Sequence, residues 1–164
     1  MPRKVILGFG ISIDGYVARR NSAIDFLVMD KEGEVLMADL FAKIDTTVMG
    51  RKTAAVVAKN AQEWGDARHA GHGQLRNFPA MEAGQTRGIR SGEWISHNFC
   101  EKAKRRPGKD IYLGGGGELA RSFLREDLVD ELFLGVGPIL LGDGIPAFPA
   151  KFPQRNFKLT ECKS

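Results

Sequence analysis

The stretch Lys109–Leu124, KDIYLGGGGELARSFL, admits few architectures. Ile111, Tyr112 and Leu113 form a short apolar run of the kind that makes a buried strand. Four glycines follow, Gly114 to Gly117. Glu118 to Arg125 then reads as a helix, with Leu119, Phe123 and Leu124 on one face. A strand that turns through glycine straight into a helix belongs to an α/β fold. The same turn has a chemical use. The first N–H groups of a helix and its positive end converge on one spot, and glycine lets a bound anion come close because no Cβ intervenes. The spacing is neither GxGxxG nor GxxxxGK[ST]. From these residues alone, an anion site and a plain turn are both open.

A second stretch repeats the construction. Val48-Met49-Gly50-Arg51-Lys52-Thr53 runs from a strand through one glycine into a helix start. Thr53 can bond a phosphate oxygen, and Arg51 can fork onto one through two N–H groups. Cations in a first helical turn oppose the macrodipole, a conflict that a bound anion relieves. The ordinary alternative is a surface helix start. Two such corners would both lie at the carboxyl ends of their strands, where open α/β sheets take their ligands. Together they are suited to the several phosphates of a dinucleotide.

The rest of the chain is consistent with this unit. Lys4–Ile13, rich in Val, Ile, Leu and Phe with Gly8 and Gly10 inside, predicts a central strand with close backbone approaches. Asp14-Gly15 is a turn signal, and Tyr16–Ala18 is a short extended piece. Glu34–Ile44 has helical apolar spacing, and Asp45–Met49 is β-branched and strand-like. Arg51–Gln62 reads as a helix, and Ile95–Lys104 as another leading to the Ile111 strand. Leu132–Gly137 is a strand, and Gly142-Asp143-Gly144 a tight turn. Phe157–Cys162 alternates like a half-buried strand. Strands alternating with helices, with a late pair lacking a helix between them, predict an α/β fold with a mixed, mostly parallel sheet. The 164 residues show no repeat or linker, so a single domain over 1–164 is expected.

Composition narrows the function classes. No stretch approaches the roughly 18 apolar residues of a membrane span. The basic start and its apolar run are interrupted at Asp14, and read better as a strand than as a signal peptide. Cys100 and Cys162 have no metal or redox spacing, so free thiols in a cytoplasmic protein are expected. The net charge of +4 suits an anionic ligand. Its densest cluster, Lys102–Lys109, is a solvated helix end rather than a nucleic-acid patch, since no aromatics are interleaved. His69, His72 and His97 lack carboxylate or thiol partners at ligand spacing, so no metal is expected. Asp130 and Glu131 read as a surface turn.

Five motifs in order resemble the dihydrofolate reductase-like superfamily: SIDGYVA (Ser12–Ala18), DTTVMGRKT (Asp45–Thr53), DIYLGGGGELA (Asp110–Ala120), LVDEL (Leu128–Leu132) and PILLGDGIPAF (Pro138–Phe148). The resemblance is nearest to the C-terminal reductase domain of the bacterial riboflavin-biosynthesis deaminase-reductase. It implies a three-layer fold with flanking helices, NADPH as hydride donor, and a homodimer. It implies that Gly50, Arg51, Lys52 and Thr53 line the NADPH phosphates, with Arg51 near the 2′-phosphate. Gly115, Gly116, Gly117, Glu118 and Leu119 would cradle the pyrophosphate, and Ile11 and Ser12 would lie beside the nicotinamide. Pro138–Gly144 reads either as a wall near the substrate or as a turn between strands, and a mixture is expected, with Pro138 structural and the glycine turn near the pocket mouth. The middle strand usual in the family is not visible in Gly73–Phe99. No H-x-E…P-C-x-x-C zinc signature is present, so a stand-alone reductase is implied.

Hydride transfer also needs a proton source near the acceptor. Asp14 and Glu34 are the two candidates. Asp14 has the competing role of a turn former before Gly15. The expected substrate is a small heterocycle or a ribosylaminopyrimidine, with no nucleic-acid or membrane partner. The rival expectation is a non-catalytic, dimeric nucleotide-binding module of the same fold.

Overall fold

The structure is a computed structural model, which describes residues 2–28, 30–50, 53 and 103–163. Strand β1 is Val5–Ser12, and β2 is Tyr16–Ala18. Helix α1 is Lys31–Ala42, and β3 is Ile44–Met49. Strand β4 is Asp110–Gly114, and helix α2 is Gly117–Arg125. Strand β5 is Glu131–Gly137, and β6 is Ile145–Pro146.

The sheet order is β3-β4-β1-β5, and every described pairing within it is parallel. The expected antiparallel portion lies elsewhere. It is a separate two-stranded ladder, β2 with β6, rather than two late strands pairing with each other. Strand β1 is central because both of its faces are covered, as its near-continuous apolar sequence requires. Val5, Leu7, Phe9 and Ile11 pack on one face with Ala120, Phe123 and Leu124 of α2. Ile6 packs on the other with Leu40 of α1, Ile44 and Tyr112. The result is a three-layer α/β arrangement, helix on sheet on helix.

Gly8 serves this packing. A Cβ there would stand 2.5 Å from the Tyr112 hydroxyl, so the missing side chain admits the Tyr112 ring. That ring also meets Phe41 of α1 edge-on, with centroids 5.2 Å apart. Helix α1 begins three residues before its apolar periodicity suggests. Asp30 caps it by accepting a bond from the Gly33 N–H at 2.8 Å.

The chain after β6 is not a strand. Ala147 to Arg155 lies along α2 from its start to its end. Phe148 meets Phe9 edge-on, the Ala150 carbonyl accepts from Arg121, and Arg155 donates to the carbonyls of Leu124 and Arg125. Arg155 therefore caps the helix and fixes where the tail departs. The strand expected over Phe157–Cys162 does not form among the described residues. Its alternation is real, but Phe157 is 46% exposed and Leu159 79% exposed. No described strand pairs with the segment, and Lys163 pairs with Glu161 within the tail itself.

Ala103, Lys104 and Arg105 are helical, as expected for the end of the helix before β4. The remainder of that helix, the Arg51–Gln62 helix beyond Thr53, the three histidines and Gly73–Phe99 lie outside the described residues. Among the described residues, no helix is long and apolar enough to cross a membrane.

Candidate functional site

Strand β1 outlasts β4. Their ladder ends with Gly8 opposite Gly114, while β1 continues to Ser12 and stays paired with β5 through Gly137. Among the described residues, Phe9 to Ser12 therefore have no ladder partner on the β4 side. At the same level β4 turns away through its glycines. A step opens between the two strands at their carboxyl ends, where a parallel sheet presents its ligand crevice.

The glycine turn forms one rim of this step. Gly115 and Gly116 have φ of +69° and +87°, a left-handed backbone that L side chains resist. Gly116 stands at the N-cap position of α2, and no side chain caps the helix there. A Cβ on Gly115 would come within 2.5 Å of Thr53 Cγ2 and 3.0 Å of its Oγ1. The two strand–glycine–helix corners thus meet, and the Thr53 hydroxyl faces the glycine backbone. The neighbouring strands β3 and β4 bring them together, with Met49 opposite Gly114.

The other expected cofactor residues divide into groups. Gly50 faces open space where a Cβ would stand, so nothing described crowds its backbone. Arg51 and Lys52 lie outside the described residues. Gly117 is spoken for by packing: a Cβ there would lie 2.8 Å from the Pro146 carbonyl oxygen and 2.9 Å from Pro149 Cδ. Its missing side chain admits the backbone of Pro146 and the ring of Pro149. The Glu118 carboxylate pairs with Arg121 one turn on, and Leu119 packs against the core. Ile11 and Ser12 are buried, so they offer the step their backbone.

Asp14 is engaged in a different task from proton donation. Its carboxylate accepts from the Ser12 hydroxyl at 2.6 Å, from the Leu141 N–H at 3.1 Å and from the Gly142 N–H at 2.7 Å. The Ser12 bond leads in lowering the carboxyl, burial works next and upward, and the Gly142 and Leu141 amides lower it further, so it is held below its ordinary value. An acid so stabilised as its anion is a poor proton donor near neutral pH. Ser12 is fully used as well, because its oxygen also accepts from the Tyr16 N–H at 3.0 Å.

Glu34 lies in the first turn of α1, half-buried, with its own N–H bonded to the Asp30 carbonyl. Only the single residue Lys43 separates α1 from β3, so the helix runs back against the sheet. Its first turn stands toward the strands' carboxyl ends. Asp14 and Glu34 thus sit on different elements. Tyr112, a residue that sequence reasoning did not single out, has its sheltered hydroxyl pushed up to about 12 by burial. It donates at 3.4 Å toward the Gly8 carbonyl. The tyrosine inside the DIYLG run stands opposite Ile6, and its ring lies over Gly8 two residues further along β1; an aromatic in one strand and a glycine in the other were the available signal for that packing. Among the described residues, no group of His, Cys, Asp or Glu is placed to hold a metal ion.

Comparison with known proteins agrees with this geometry. Residues 96–164 match the RibD C-terminal domain family. The uncharacterized protein YwjB of Bacillus subtilis is 29% identical over 164 residues, covering 99% of this chain and 92% of that protein. The uncharacterized protein YyaP of the same organism is 28% identical over 169 residues, covering 99% and 89%. The solved structure of a provisionally named riboflavin biosynthesis protein from Shewanella sp. PV-4 superposes with a TM-score of 0.61. It is 23% identical and covers 94% of this chain and 86% of its own, which is a likeness of fold. The C-terminal part of the chain is thus similar to the RibD C-terminal domain, and the whole chain shares the fold of the Shewanella protein.

Proposed function

We propose that the protein is an NADPH-dependent reductase acting on a small heterocycle or a ribosylaminopyrimidine. The observation that carries this reading is the step between β1 and β4, bounded by the meeting of Thr53 with the left-handed Gly115–Gly116 turn. Such a step takes a flat ring against β1 backbone, with its phosphates at the rim. The residues fit the group: a Cβ at Gly115 would fill the cradle, and the uncapped start of α2 offers N–H groups to an anion.

Bound NADPH would supply the hydride. Thr53 and the glycine backbone hold and orient its phosphates. Arg51, on the strength of the sequence resemblance, recognises the 2′-phosphate. The β1 backbone from Phe9 to Ser12, which has no described ladder partner on the β4 side, positions the ring beside the acceptor. Glu34 is the better placed of the two candidate acids to pass a proton, directly or through water. The protein acts as a homodimer, which sedimentation at micromolar concentration reads directly.

The engagement of Asp14 favours a second reading, a nucleotide-binding module without turnover. NADPH titration followed by fluorescence, and then NADPH consumption with pyrimidine or pteridine acceptors, separates the two. Binding with consumption supports the reductase, and binding alone supports the module. If neither NADPH nor NADH binds below millimolar concentration, both readings fail. Arg51→Ala is expected to weaken NADPH far more than NADH, and equal losses remove Arg51 from the 2′-phosphate.

A further inference from the structure

The carboxylate of Asp14 joins two pieces of chain that the sheet does not connect. Strand β1 ends at Ser12, and β5 ends at Gly137 opposite it. Beyond β5 the chain runs out past the end of β1 before returning as β6. Three sets of bonds hold this excursion. The Ile13 N–H donates to the Ile139 carbonyl at 2.9 Å. Asp14 accepts from the Leu141 and Gly142 N–H groups, at 3.1 and 2.7 Å. The Ala147 N–H donates to the Gly15 carbonyl at 2.9 Å. Gly142 has φ of +72°, so the turn bends sharply where the carboxylate grips it. Without the carboxylate, the charged contact left to the crest of the turn, Leu140 to Asp143, among the described residues is the exposed pair of Asp143 with Arg20.

We propose that Asp14 is a positioning residue. It latches the Ile139–Gly144 turn over the end of β1, and the latched turn is the wall that shelters the nicotinamide and the acceptor beside it. The inference rests on the reductase reading for the wall's occupant, and on geometry alone for the latch. The Ser12 hydroxyl is the second part of the latch. It donates to the Asp14 carboxylate while accepting from the Tyr16 N–H, so the carboxylate is aimed before the turn arrives. A carboxylate accepts two amides and a hydroxyl at once, which no neutral side chain of its size does. This explains why an aspartate stands at this turn.

Amide hydrogen exchange and the emission of bound NADPH test the two halves. In Asp14→Ala, exchange at Leu141 and Gly142 is expected to rise about tenfold or more, from loss of charge-assisted bonds, while the β1 and β4 amides keep their protection. Bound NADPH is expected to emit more like free NADPH, its nicotinamide opened to water, with affinity changed less than about twofold because the phosphate rim is untouched. Asp14→Asn retains one acceptor oxygen but no acid. It is expected to restore part of both signals, and it decides the matter if the alanine variant does not fold. Unchanged exchange in the variant overturns the latch. Faster exchange with unaltered emission overturns the wall. Failure of the unaltered protein to bind NADPH overturns the reductase reading and the wall together, while the exchange result still judges the latch.

Discussion

The two ends of the sheet are built by different means. At the amino ends of the strands, side chains lace the elements together. Arg3 is buried and donates to the Lys109 carbonyl, to the Ala103 carbonyl at 3.3 Å, to Asp45 and to Thr46 Oγ1 at 2.6 Å. Asp45 also accepts from the Lys109 N–H at 2.7 Å. Asp110 accepts from the Lys4 N–H at 2.8 Å. Asp130 accepts from the Val5 N–H at 2.7 Å while paired with Lys104. At the carboxyl ends, β4 dissolves into glycine, α2 starts without a side-chain cap, and the described rim offers backbone and one threonine hydroxyl. A laced end resists opening and has its polar groups spent. A backbone end keeps donors available for a ligand. Stability and binding are thereby assigned to opposite ends of the same four strands.

The largest expected effect lies at the laced end. Arg3→Leu removes a buried guanidinium that serves four partners, and is expected to cost about 2–4 kcal/mol of stability. Urea unfolding measures it. NADPH affinity under native conditions is expected to stay within about twofold, since the loss lies at the far end of the strands. A stable Arg3→Leu protein, or one that stays folded and loses NADPH, would break the division between the ends.

Gly115→Ala is the counterpart at the backbone end. The new methyl meets Thr53 and must adopt a left-handed φ, a strain of roughly 1 kcal/mol. NADPH affinity is expected to fall by about tenfold or more, because the cradle is filled rather than merely loosened. Isothermal titration gives the affinity, and thermal unfolding gives the stability. A variant that loses stability but keeps its affinity would return Gly115 to the plain-turn reading of the sequence.

The backbone end was the legible one. The apolar run Lys4–Ile13, the glycines after Leu113 and the GRKT corner announce local geometry through neighbouring residues, and β1, β4 and α2 formed where they indicated. The laced end was silent because its partners are remote. Arg3 and the Lys109 carbonyl are 106 residues apart, and Val5 and Asp130 are 125 apart. No local period records such a pairing. The tail shows the converse. Phe157–Cys162 has a strand's alternation, but alternation states which faces differ and not whether an edge is available. The space that Gly117 leaves was illegible for a similar reason. A glycine in a row of four carries no mark of which neighbour needs the space, and here it is Pro146 and Pro149.

Acid sharpens the comparison further, because each end contains a carboxylate held below its ordinary value. For Asp45, partial burial works upward, but the Thr46 hydroxyl, the Lys109 amide and the charges of Arg3 and Lys109 together outweigh it. For Asp14, the Ser12 bond leads. In both, the unfolded chain takes up its proton at a higher pH than the folded one. Their contribution is therefore present above the ordinary carboxylate pKa of about 4 and is lost as pH falls through the lower folded value. Urea midpoints measured at descending pH are expected to fall over that window. The slope is expected to flatten in Asp45→Asn and in Asp14→Asn. Exchange at Leu141 and Gly142 should quicken beyond its intrinsic pH trend only where Asp14 titrates. A uniform response of both ends would show that they unfold as one unit and that the latch has no separate life.

The smallest effect is expected from the other charged contact of the wall. Arg20 pairs with Asp143 beside the Asp14 latch, and both side chains are exposed. The Asp143 carboxyl is lowered by its bond to Arg20 and also accepts from the Gly144 N–H at 2.8 Å. An exposed pair gives back in side-chain entropy and solvation most of what it gains, so Asp143→Asn is expected to move the unfolding temperature by no more than roughly 1 °C. The latch differs in kind, because a fixed carboxylate there receives backbone amides that have no other described partner. Thermal unfolding of Asp143→Asn beside Asp14→Asn therefore asks whether the wall is held by charge or by directed bonds to the backbone. A drop in Asp143→Asn equal to that in Asp14→Asn would assign the wall to its charges, and would erase the distinction between its surface pair and its latch.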